Sequence, residues 1–293
     1  MSFTQRQISA TITLATGTFN GTQGENTVTL TGYRMSANVV KAGGDSQGQL
    51  NIRIYGLGLS LMNQLSTMGR TPVFIDSGNK ISVAAGDSVN RLFVVFVGTI
   101  MQAYTDLNGA PDAIFHITAF AGLGESLQTI PASSYPGAAN AATIMSGLAT
   151  QAGLTFENNG VSVMLNSPYF PGSARTQMAK CARQANINWI IDNGKLAIWP
   201  MNGSRTGAVP LISPQTGMIG YPFPSGQGLL GVKTIFNPQI SFGAQVQVQS
   251  SITPAVGTWA ICHVEHDIEC QLPGGNWMTT LQGQPPGYLT TQG

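Results

Sequence analysis

Alternating apolar and polar side chains dominate the first part of the chain. From Ile8 to Leu14 every second residue is apolar, and the residues between them are serine or threonine. The same alternation returns from Leu50 to Ile54. Because a period of two places successive side chains on opposite faces of a strand, this pattern predicts half-buried antiparallel strands. The predicted strands cover residues 7–15, 28–40, 50–55, 80–84, 92–104 and 112–121, and a short helix covers 60–68.

A predicted linker, residues 130–137, ends this part and is rich in proline, serine and glycine. In residues 138–152 apolar side chains recur at helical spacing, and Gly153 favours a helix end. A second helix is predicted for 174–185, because Ser173 can cap its first turn. The period therefore changes from that of strands to that of helices.

Two short strands, 187–191 and 195–199, are predicted to follow these helices. Asn193 and Gly194 lie between them, and Asn-Gly is a strong signal for a two-residue hairpin turn. Residues 154–157 can form a further strand. Strands and helices together indicate a small α+β unit in the middle of the chain.

The last part returns to short segments rich in β-branched and aromatic residues, separated by glycine and proline. Such spacing is typical of β-sandwiches and barrels. The predicted fold is therefore mainly β with a small α+β part. Two β-barrel domains, residues 1–130 and 206–293, flank a small α+β domain, residues 131–205, and a flexible tail follows Gln284. The predicted strands of the second barrel are 209–213, 217–221, 230–236, 245–250, 258–268 and 277–281.

Charge is scarce along the whole chain. The 293 residues include 13 basic and 12 acidic ones, 9% in total, whereas about 25% is usual. A hydrophobic content of 42% excludes a disordered chain. The longest apolar runs, such as 92–97, are much shorter than the roughly 20 residues of a membrane-spanning helix, so we expect no membrane insertion. A net charge of +1 argues against DNA-backbone binding as the main task and favours association with other subunits.

The cellular compartment is indicated by the cysteines and the N-terminus. Cys181, Cys262 and Cys270 are an odd number, so we expect reduced thiols rather than a disulfide framework. The first eight residues lack the apolar core of a signal peptide. Both features predict a protein made in a cytoplasm.

The most metal-like cluster comprises Cys262, His263, His266 and Cys270. These are good metal ligands, but on a strand His263 and His266 point to opposite faces. We therefore expect ordinary strand positions and no metal, although the sequence leaves a metal site open.

Other candidate chemistry is also weak. Residues 44–48 match G-x-S-x-G, but that motif requires a following helix, and here a strand follows. Residues 226–231 match G-x-G-x-x-G, again before a predicted strand. His116 lies within a strand, and Cys181 lies on a helix face with Met178, which favours packing. We expect no catalytic residue and no cofactor, and therefore a structural protein.

Short motifs in the last third carry a family resemblance. They are SPQTGMIGYP at 213–222, GVKTIFNP at 231–238, FGAQV at 242–246, GTWAICHVEH at 257–266 and GGNWMTT at 274–280. Their order resembles the closing domain of baseplate hub proteins of contractile-tailed bacteriophages. IRIYGL at 52–57, VFVGTI at 95–100 and AY at 103–104 resemble the first domain of the same family. The scarcity of charge, and the lack of a peptidoglycan-cleaving segment, depart from some members.

The resemblance implies a homotrimer in which each protomer carries two tube-like β-barrels. Six barrels then form a ring that matches the six-fold tail tube on one side and the trimeric central spike on the other. Such a hub adapts one symmetry to the other, contacts other baseplate proteins, and leaves a channel through which DNA passes without specific binding. The implied location is the virion tail, after assembly in the bacterial host cytoplasm.

Partner contacts are expected at an aromatic-proline segment, Tyr221, Pro222, Phe223 and Pro224. Trp259 and Trp277 are expected to pack inside the last barrel. Two other functions stay open from the sequence: a tail-associated cell-wall hydrolase, and a carbohydrate- or receptor-binding module. A contractile bacteriocin or a secretion machine is an equally open setting for a hub.

Overall fold

Seven strands and two short helices form the first part of the chain in the computed structural model, which describes residues 4–19, 25–67, 78–87, 89, 91–109, 113–226 and 228–287. Met68, Asp112 and the tail after Gly287, where predicted elements end or begin, lie outside these residues. The strands are β1 Arg6–Thr13, β2 Thr27–Leu30, β3 Met35–Lys41, β4 Gln49–Tyr55, β5 Lys80–Asp87, β6 Phe93–Asp106 and β7 Ile114–Phe120. The helices are α1 Leu59–Leu65 and α2 Leu123–Leu127.

One strand prediction in this part was wrong. Residues 28–40 form two strands, β2 and β3, instead of one. The chain turns between them at Gly32, whose φ is +77°. Side chains other than glycine rarely adopt this left-handed conformation, so a strand cannot continue through it.

The middle part contains the two predicted helices and several short strands. Asn140 caps the first helix by accepting a hydrogen bond from the Ala142 N–H, so this helix begins at Ala141 rather than at residue 138. Ser173 caps the second helix as predicted. Asn193 and Gly194 have φ of 52° and 74° and form the predicted hairpin turn. The elements are β8 Ser133–Ser134, β9 Ala138–Asn140, α3 Ala141–Gln151, β10 Thr155–Asn158, β11 Met164–Asn166, β12 Tyr169–Phe170, α4 Ala174–Ala185, β13 Ile187–Asp192 and β14 Lys195–Pro200.

In its described residues, the last part contains six strands. Residues 217–221 were predicted as a strand, but Met218 makes only one isolated bridge, to Thr234. Gly217 and Gly220 have φ of 106° and 70°, which interrupts an extended chain. The strands are β15 Leu211–Ile212, β16 Phe223–Pro224, β17 Leu230–Ile235, β18 Gln245–Val248, β19 Gly257–Cys270 and β20 Trp277–Gln284.

One sheet of 13 strands contains both β-rich parts, in the order β16-β17-β20-β19-β3-β4-β7-β6-β5-β1-β2, with β18 and β15 branching from β19. The long strand β19 makes this possible. Its first residues pair with β18 and its second half, from Val264 to Cys270, pairs with β3. A bulge between Ile261 and His263 separates the two halves. The two β-rich parts therefore share a strand.

Three main hydrophobic clusters lie beneath these elements. The first fills the β1–β7 part, the second lies between the helices α3 and α4 and the β13–β14 hairpin, and the third lies under β15 and β17–β20. Ile268 and Cys270 of β19 belong to the first cluster, and Trp277 packs against it. The expectation that Trp277 packs inside the last barrel was therefore wrong, whereas Trp259 packs there. The boundaries at residues 130 and 205 stay a prediction.

The mainly β prediction is confirmed. In the described part of the chain, no helix has the length and apolar character needed to cross a membrane.

Candidate functional site

The predicted contact segment lies at one end of the 13-stranded sheet. Among the described residues, β16 pairs only with β17. Tyr221 is 67% exposed and Phe223 is 43% exposed. Pro224 is exposed, but Pro222 is buried. The segment therefore presents two aromatic rings and one proline to solvent.

Two further apolar side chains extend this surface. Ile219 and Ile235 are 40% and 54% exposed. The Ile219 N–H donates to the Lys233 carbonyl at 2.8 Å, which holds the chain along β17. We call Ile219, Tyr221, Phe223 and Ile235 the corner patch. It exposes roughly 400 Å² of apolar side chain, a size that in monomers is often functional.

The backbone of β16 explains why Pro224 is tolerated at this edge. The Ser225 N–H donates to the Leu229 carbonyl at 2.9 Å. The N–H and C=O of Phe223 therefore point to β17, whereas the backbone of Pro224 points outward. Proline has no N–H, so this outward position offers no donor to an additional strand.

A polar face covers the other strands of the same sheet. Alternate residues of β3, β4, β7, β19 and β20 point outward, whereas the residues between them are buried. The Asn38 amide donates to Glu265 at 2.7 Å, and the Thr118 hydroxyl donates to Asn51 at 3.0 Å. We call these outward side chains the polar sheet face. Its residues include Ser36, Asn38, Gln49, Asn51, Arg53, His116, Thr118, Glu265, Asp267, Glu269, Thr280 and Gln282.

Three carboxylates follow one another on this face of β19. Burial, together with the neighbouring charges of Glu269 and Glu265, raises the pKa of Asp267 above its usual value. The Asn276 amide donates to Asp267 at 2.8 Å and opposes that shift. The centre of the polar sheet face is therefore acidic.

A buried arginine joins the first β-rich part to the middle part. Arg175 of α4 donates to the carbonyls of Gly44, Asp45 and Ser46 at 3.0, 2.9 and 3.1 Å. Its guanidinium also lies 4.8 Å from the ring centre of Trp189. A guanidinium is well suited to several acceptors and an aromatic ring at once. We call this contact the arginine seam.

Ion pairs lie at the same junction and within the middle part. Lys41 lies 2.9 Å from Asp192, whose other oxygen is 3.7 Å from Arg205. Arg205 and Lys195 each lie 3.0 Å from Glu157. Of the five ion pairs among the described residues, Lys41–Asp192 and Arg183–Asp45 join the middle part to the first β-rich part, and the other three lie within residues 131–205. The scarce charge of this chain is therefore concentrated in and beside the middle part.

Glu157 provides a test of these ion pairs. Burial would raise its pKa, but hydrogen bonds from Arg205, Asn159 and Lys195 outweigh burial and lower the pKa to about 2. We expect Glu157→Gln to reduce the free energy of unfolding by about 1.5 kcal/mol at pH 7, allowing for partial exposure. A lowered carboxyl pKa stabilises fully above the unfolded value of 4.5, and this stabilisation is lost as the pH falls to the folded value, so the difference should vanish between pH 4.5 and about 2. Urea unfolding at several pH values measures it.

The matched control for this prediction is Glu25→Gln, at an exposed carboxylate of the first part. That variant should unfold like the wild type. A pH-independent loss in Glu157→Gln would contradict an electrostatic origin and indicate a packing defect.

A cleft of about 450 Å³ lies where the three parts of the chain meet. Asp45, Asn188, Phe242, Cys262 and His263 contribute to its walls. Burial raises the pKa of the Cys262 thiol, which donates to the Gln282 carbonyl at 3.4 Å. The thiol is therefore held in its less reactive, protonated form.

Membership of a family is decided by a match over most of the chain. The model of the family described as "Baseplate hub gp41" matches residues 8–272. The chain belongs to this baseplate hub family. A structural role in a phage tail baseplate follows from that membership. No curated protein sequence matches the chain.

Solved structures share the fold of this hub protein at low sequence identity. A tail protein from Neisseria meningitidis MC58 has a TM-score of 0.63 and 8% identity, over 96% of this chain and 98% of that one. The 43 kDa tail protein of prophage MuSo2 from Shewanella oneidensis has a TM-score of 0.60 and 10% identity, over 97% of each chain. The E. coli c3393 protein, a component of the type VI secretion system, has a TM-score of 0.60 and 10% identity, over 96% of this chain and 79% of that one.

The two histidines of the hub protein's β19 strand lie on opposite faces, as the strand period predicts, whereas the bulge between Ile261 and His263 takes Cys262 off the buried face of His266. His266 is 1% exposed and its Nδ1 lies 2.9 Å from the Thr279 hydroxyl. His263 is half-buried, on the opposite side. Cys270 is buried in the first cluster. In the described ranges, no three histidine, cysteine or acidic side chains are grouped to hold a metal ion.

Neither the nucleophile-like nor the nucleotide-like motif is followed by a helix. Residues 44–48 form the loop whose carbonyls accept hydrogen bonds from Arg175, and the second motif ends in β17 with Leu230 and Gly231. Cys181 is buried, and burial raises the pKa of its thiol to about 12. His116 stacks on Tyr104 with ring centres 4.8 Å apart.

The corner patch was identified only in part from sequence, and the arginine seam was missed. Tyr221 and Phe223 were predicted as contact residues because they alternate with prolines. Ile219 and Ile235 lie outside that segment, and only the folded structure places them beside it. Arg175 lies in the first turn of a predicted helix, where the sequence pattern gives no sign of burial. Its acceptors are 129–131 residues away in the chain.

Proposed function

We propose that this chain is the structural hub subunit of a contractile phage tail, acting through contacts and not through catalysis. Three copies form a ring with pseudo-six-fold symmetry that joins the hexameric tail tube to the trimeric central spike. DNA passes through the channel of this ring without specific binding. Family membership supports the baseplate role, and the ring extends that role to a mechanism.

The observation that carries this proposal is the shared strand β19. Because β19 pairs with β18 in the last part and with β3 in the first, both β-rich parts are held in one sheet. Two barrels joined in this way keep a fixed orientation toward each other. Three such chains then present six barrels at fixed angles to one another. A six-fold tail tube can bind this ring because each of its six subunits meets one barrel.

The polar sheet face is the surface we assign to the channel. Its hydroxyl and amide side chains, such as Asn51, Thr118 and Gln282, can be hydrated beside DNA without binding phosphate. The acidic row of Glu265, Asp267 and Glu269 repels phosphate, and few cations are available to retain it. This surface thus accounts for passage of DNA without specific affinity.

The middle part is the surface we assign to spike or other baseplate proteins. The arginine seam and the Lys41–Asp192 ion pair hold it against the first β-rich part. A force applied through a partner of the middle part is then transmitted to the barrels. Assembly of these partners takes place in the host cytoplasm.

Mass in solution combined with electron microscopy tests the proposal. We expect a trimer that forms a ring with six barrel-like lobes, and we expect that ring to bind the tube-initiator and spike proteins of the same phage. An isolated monomer that binds neither protein would contradict it. Clearing of peptidoglycan in a zymogram would instead indicate the hydrolase, and binding on a glycan array would indicate the receptor-binding module.

A further inference from the structure

Exposed apolar side chains and scarcity of charge coincide in the last part of the chain. After Arg205 the sequence contains four charged residues, Lys233, Glu265, Asp267 and Glu269. Many large apolar side chains are nevertheless at least 40% exposed there. They are Val209, Leu211, Ile219, Tyr221, Phe223, Ile235, Ile252 and Val256. A surface of this kind is unfavourable in water and indicates a partner that is itself uncharged and apolar.

These residues form two groups on different elements. The corner patch lies on β17 and the segment that precedes it. The second group lies on or beside β15 and on the connection from β18 to β19. We call Val209, Leu211, Ile252 and Val256 the loop patch. One chain thus carries two apolar surfaces, and the single charge on the strand of the corner patch is Lys233, between Gly231 and Ile235 on β17.

We propose that the corner patch of one copy packs on the loop patch of a second copy, head to tail. This proposal rests on the hub function and names the surface through which its copies meet. A contact between two different surfaces is heterologous, and repetition of it closes into a ring when the rotation allows. The chain itself supplies both halves of the contact, so no other apolar protein is needed.

The area of the corner patch agrees with such a contact. A stable interface buries about 800 Å² on each partner, of which somewhat more than half is apolar. The roughly 400 Å² of apolar side chain in the corner patch supplies most of that apolar fraction. Tyr221 is the most exposed member, at 67%, and is therefore the expected centre of the contact.

The proline of β16 determines the mode of contact. Pro224 leaves the outer edge of β16 without an N–H donor at that position, so a strand of the neighbour cannot add there with full hydrogen bonding. The contact is made by side chains instead. Phe223 is fixed for this role because its ring lies over Gly231, where any added Cβ would clash with it.

Complementation between two variants tests the proposal. Tyr221→Arg with Ile235→Arg disables the corner patch, and Leu211→Arg with Val256→Arg disables the loop patch. We expect each variant alone to be monomeric, with self-association weakened about 100-fold or more. A mixture of the two should form dimers and no trimers, because one intact junction is left. Mass photometry and analytical ultracentrifugation measure all three samples.

Several outcomes would overturn this contact. They are a corner-patch variant that still forms trimers, a mixture that forms no dimer, or a wild type that stays monomeric at every concentration. Tyr169→Arg is the matched control, since Tyr169 is 62% exposed on the middle part, and it should stay trimeric. Circular dichroism and thermal melting verify folding, and Tyr221→Ser with Ile235→Ser replaces an arginine variant that fails to fold.

Incorporation into the baseplate separates this contact from the hub function. Wild-type protein that is monomeric in solution but enters the baseplate would leave the hub function intact and overturn the contact. A trimeric corner-patch variant that no longer enters the baseplate would assign the patch to the spike or tube. Wild-type protein that never enters the baseplate would contradict the hub function itself.

Discussion

Replacing Arg175 with methionine should reduce the free energy of unfolding by about 3–5 kcal/mol. Methionine fills a similar volume but donates no hydrogen bond. The carbonyls of Gly44, Asp45 and Ser46 would lose the donor they now share, and the ring of Trp189 would lose its cation. Urea unfolding followed by tryptophan fluorescence measures the loss. Hydrogen exchange should show faster exchange in the loop of residues 43–48.

Arg183→Met is the matched control for this prediction. Arg183 lies on the same helix and pairs with Asp45 of the same loop, at 3.0 Å. Both side chains are largely exposed, 72% and 64%, so the expected cost is below about 1 kcal/mol. Equal losses in the two variants would contradict the special contribution of the buried seam. A large loss confined to Arg175→Met would support it.

Local sequence predicted the elements because their signals are local. The Ser173 hydroxyl, the Asn193–Gly194 turn and the alternation in β1 and β4 each act within a few residues. Most strands and helices were therefore predicted at their correct places in the chain. It failed at residues 28–40 and 217–221, where glycines with positive φ interrupt a pattern that otherwise favours strands.

Pairing between distant strands could not be predicted in this way. Asn38 of β3 meets Glu265 of β19 across 227 residues, and nothing in either strand specifies the other. The period of two shows which residues face inward but not which strand lies beside them. The shared strand, and with it the joining of both β-rich parts in one sheet, therefore required the structure.

Helix α4 shows the same difference between local features, which the sequence predicts, and distant contacts, which it does not. Met178 and Cys181 were predicted to lie on the buried face of their helix, and they do. Arg175 and Gln177 are also buried, at 9% and 0% exposure, because distant backbone carbonyls accept their hydrogen bonds. A polar side chain is buried only when such partners are present, and periodicity does not reveal them. The burial of Arg175 and Gln177 at this junction therefore could not be predicted from the sequence.

His266→Gln should remove most of the loss of stability between pH 7.5 and pH 4.5. The Thr279 hydroxyl accepts the Asn237 N–H at 3.1 Å, which leaves its own hydrogen available for Nδ1 of His266. Protonation of Nδ1 would break this bond inside the core. Burial and the nearby charge of Lys41 accordingly lower the pKa of His266 from 6.5 to about 3. Glutamine stays neutral and can still accept a hydrogen bond.

The sign of the effect follows from proton binding. Between pH 6.5 and about 3, the unfolded histidine is protonated and the folded one is not, so stability falls as the pH falls. The slope approaches about 1.4 kcal/mol per pH unit, or about 3 kcal/mol by pH 4.5. Burial also lowers the pKa of His116, so a smaller slope should remain in the variant.

Urea unfolding at half-unit pH steps measures the two slopes, and the comparison of slopes is independent of any fixed cost of the substitution. His263→Gln, on the other face of the same strand, is the control and should keep the wild-type slope. An unchanged slope in His266→Gln would show that the acid sensitivity arises elsewhere. A reduced slope would mean that acid weakens the hub at β19, beside its pairing with both β20 and β3. Acid should then loosen the two barrels together, because they share that strand.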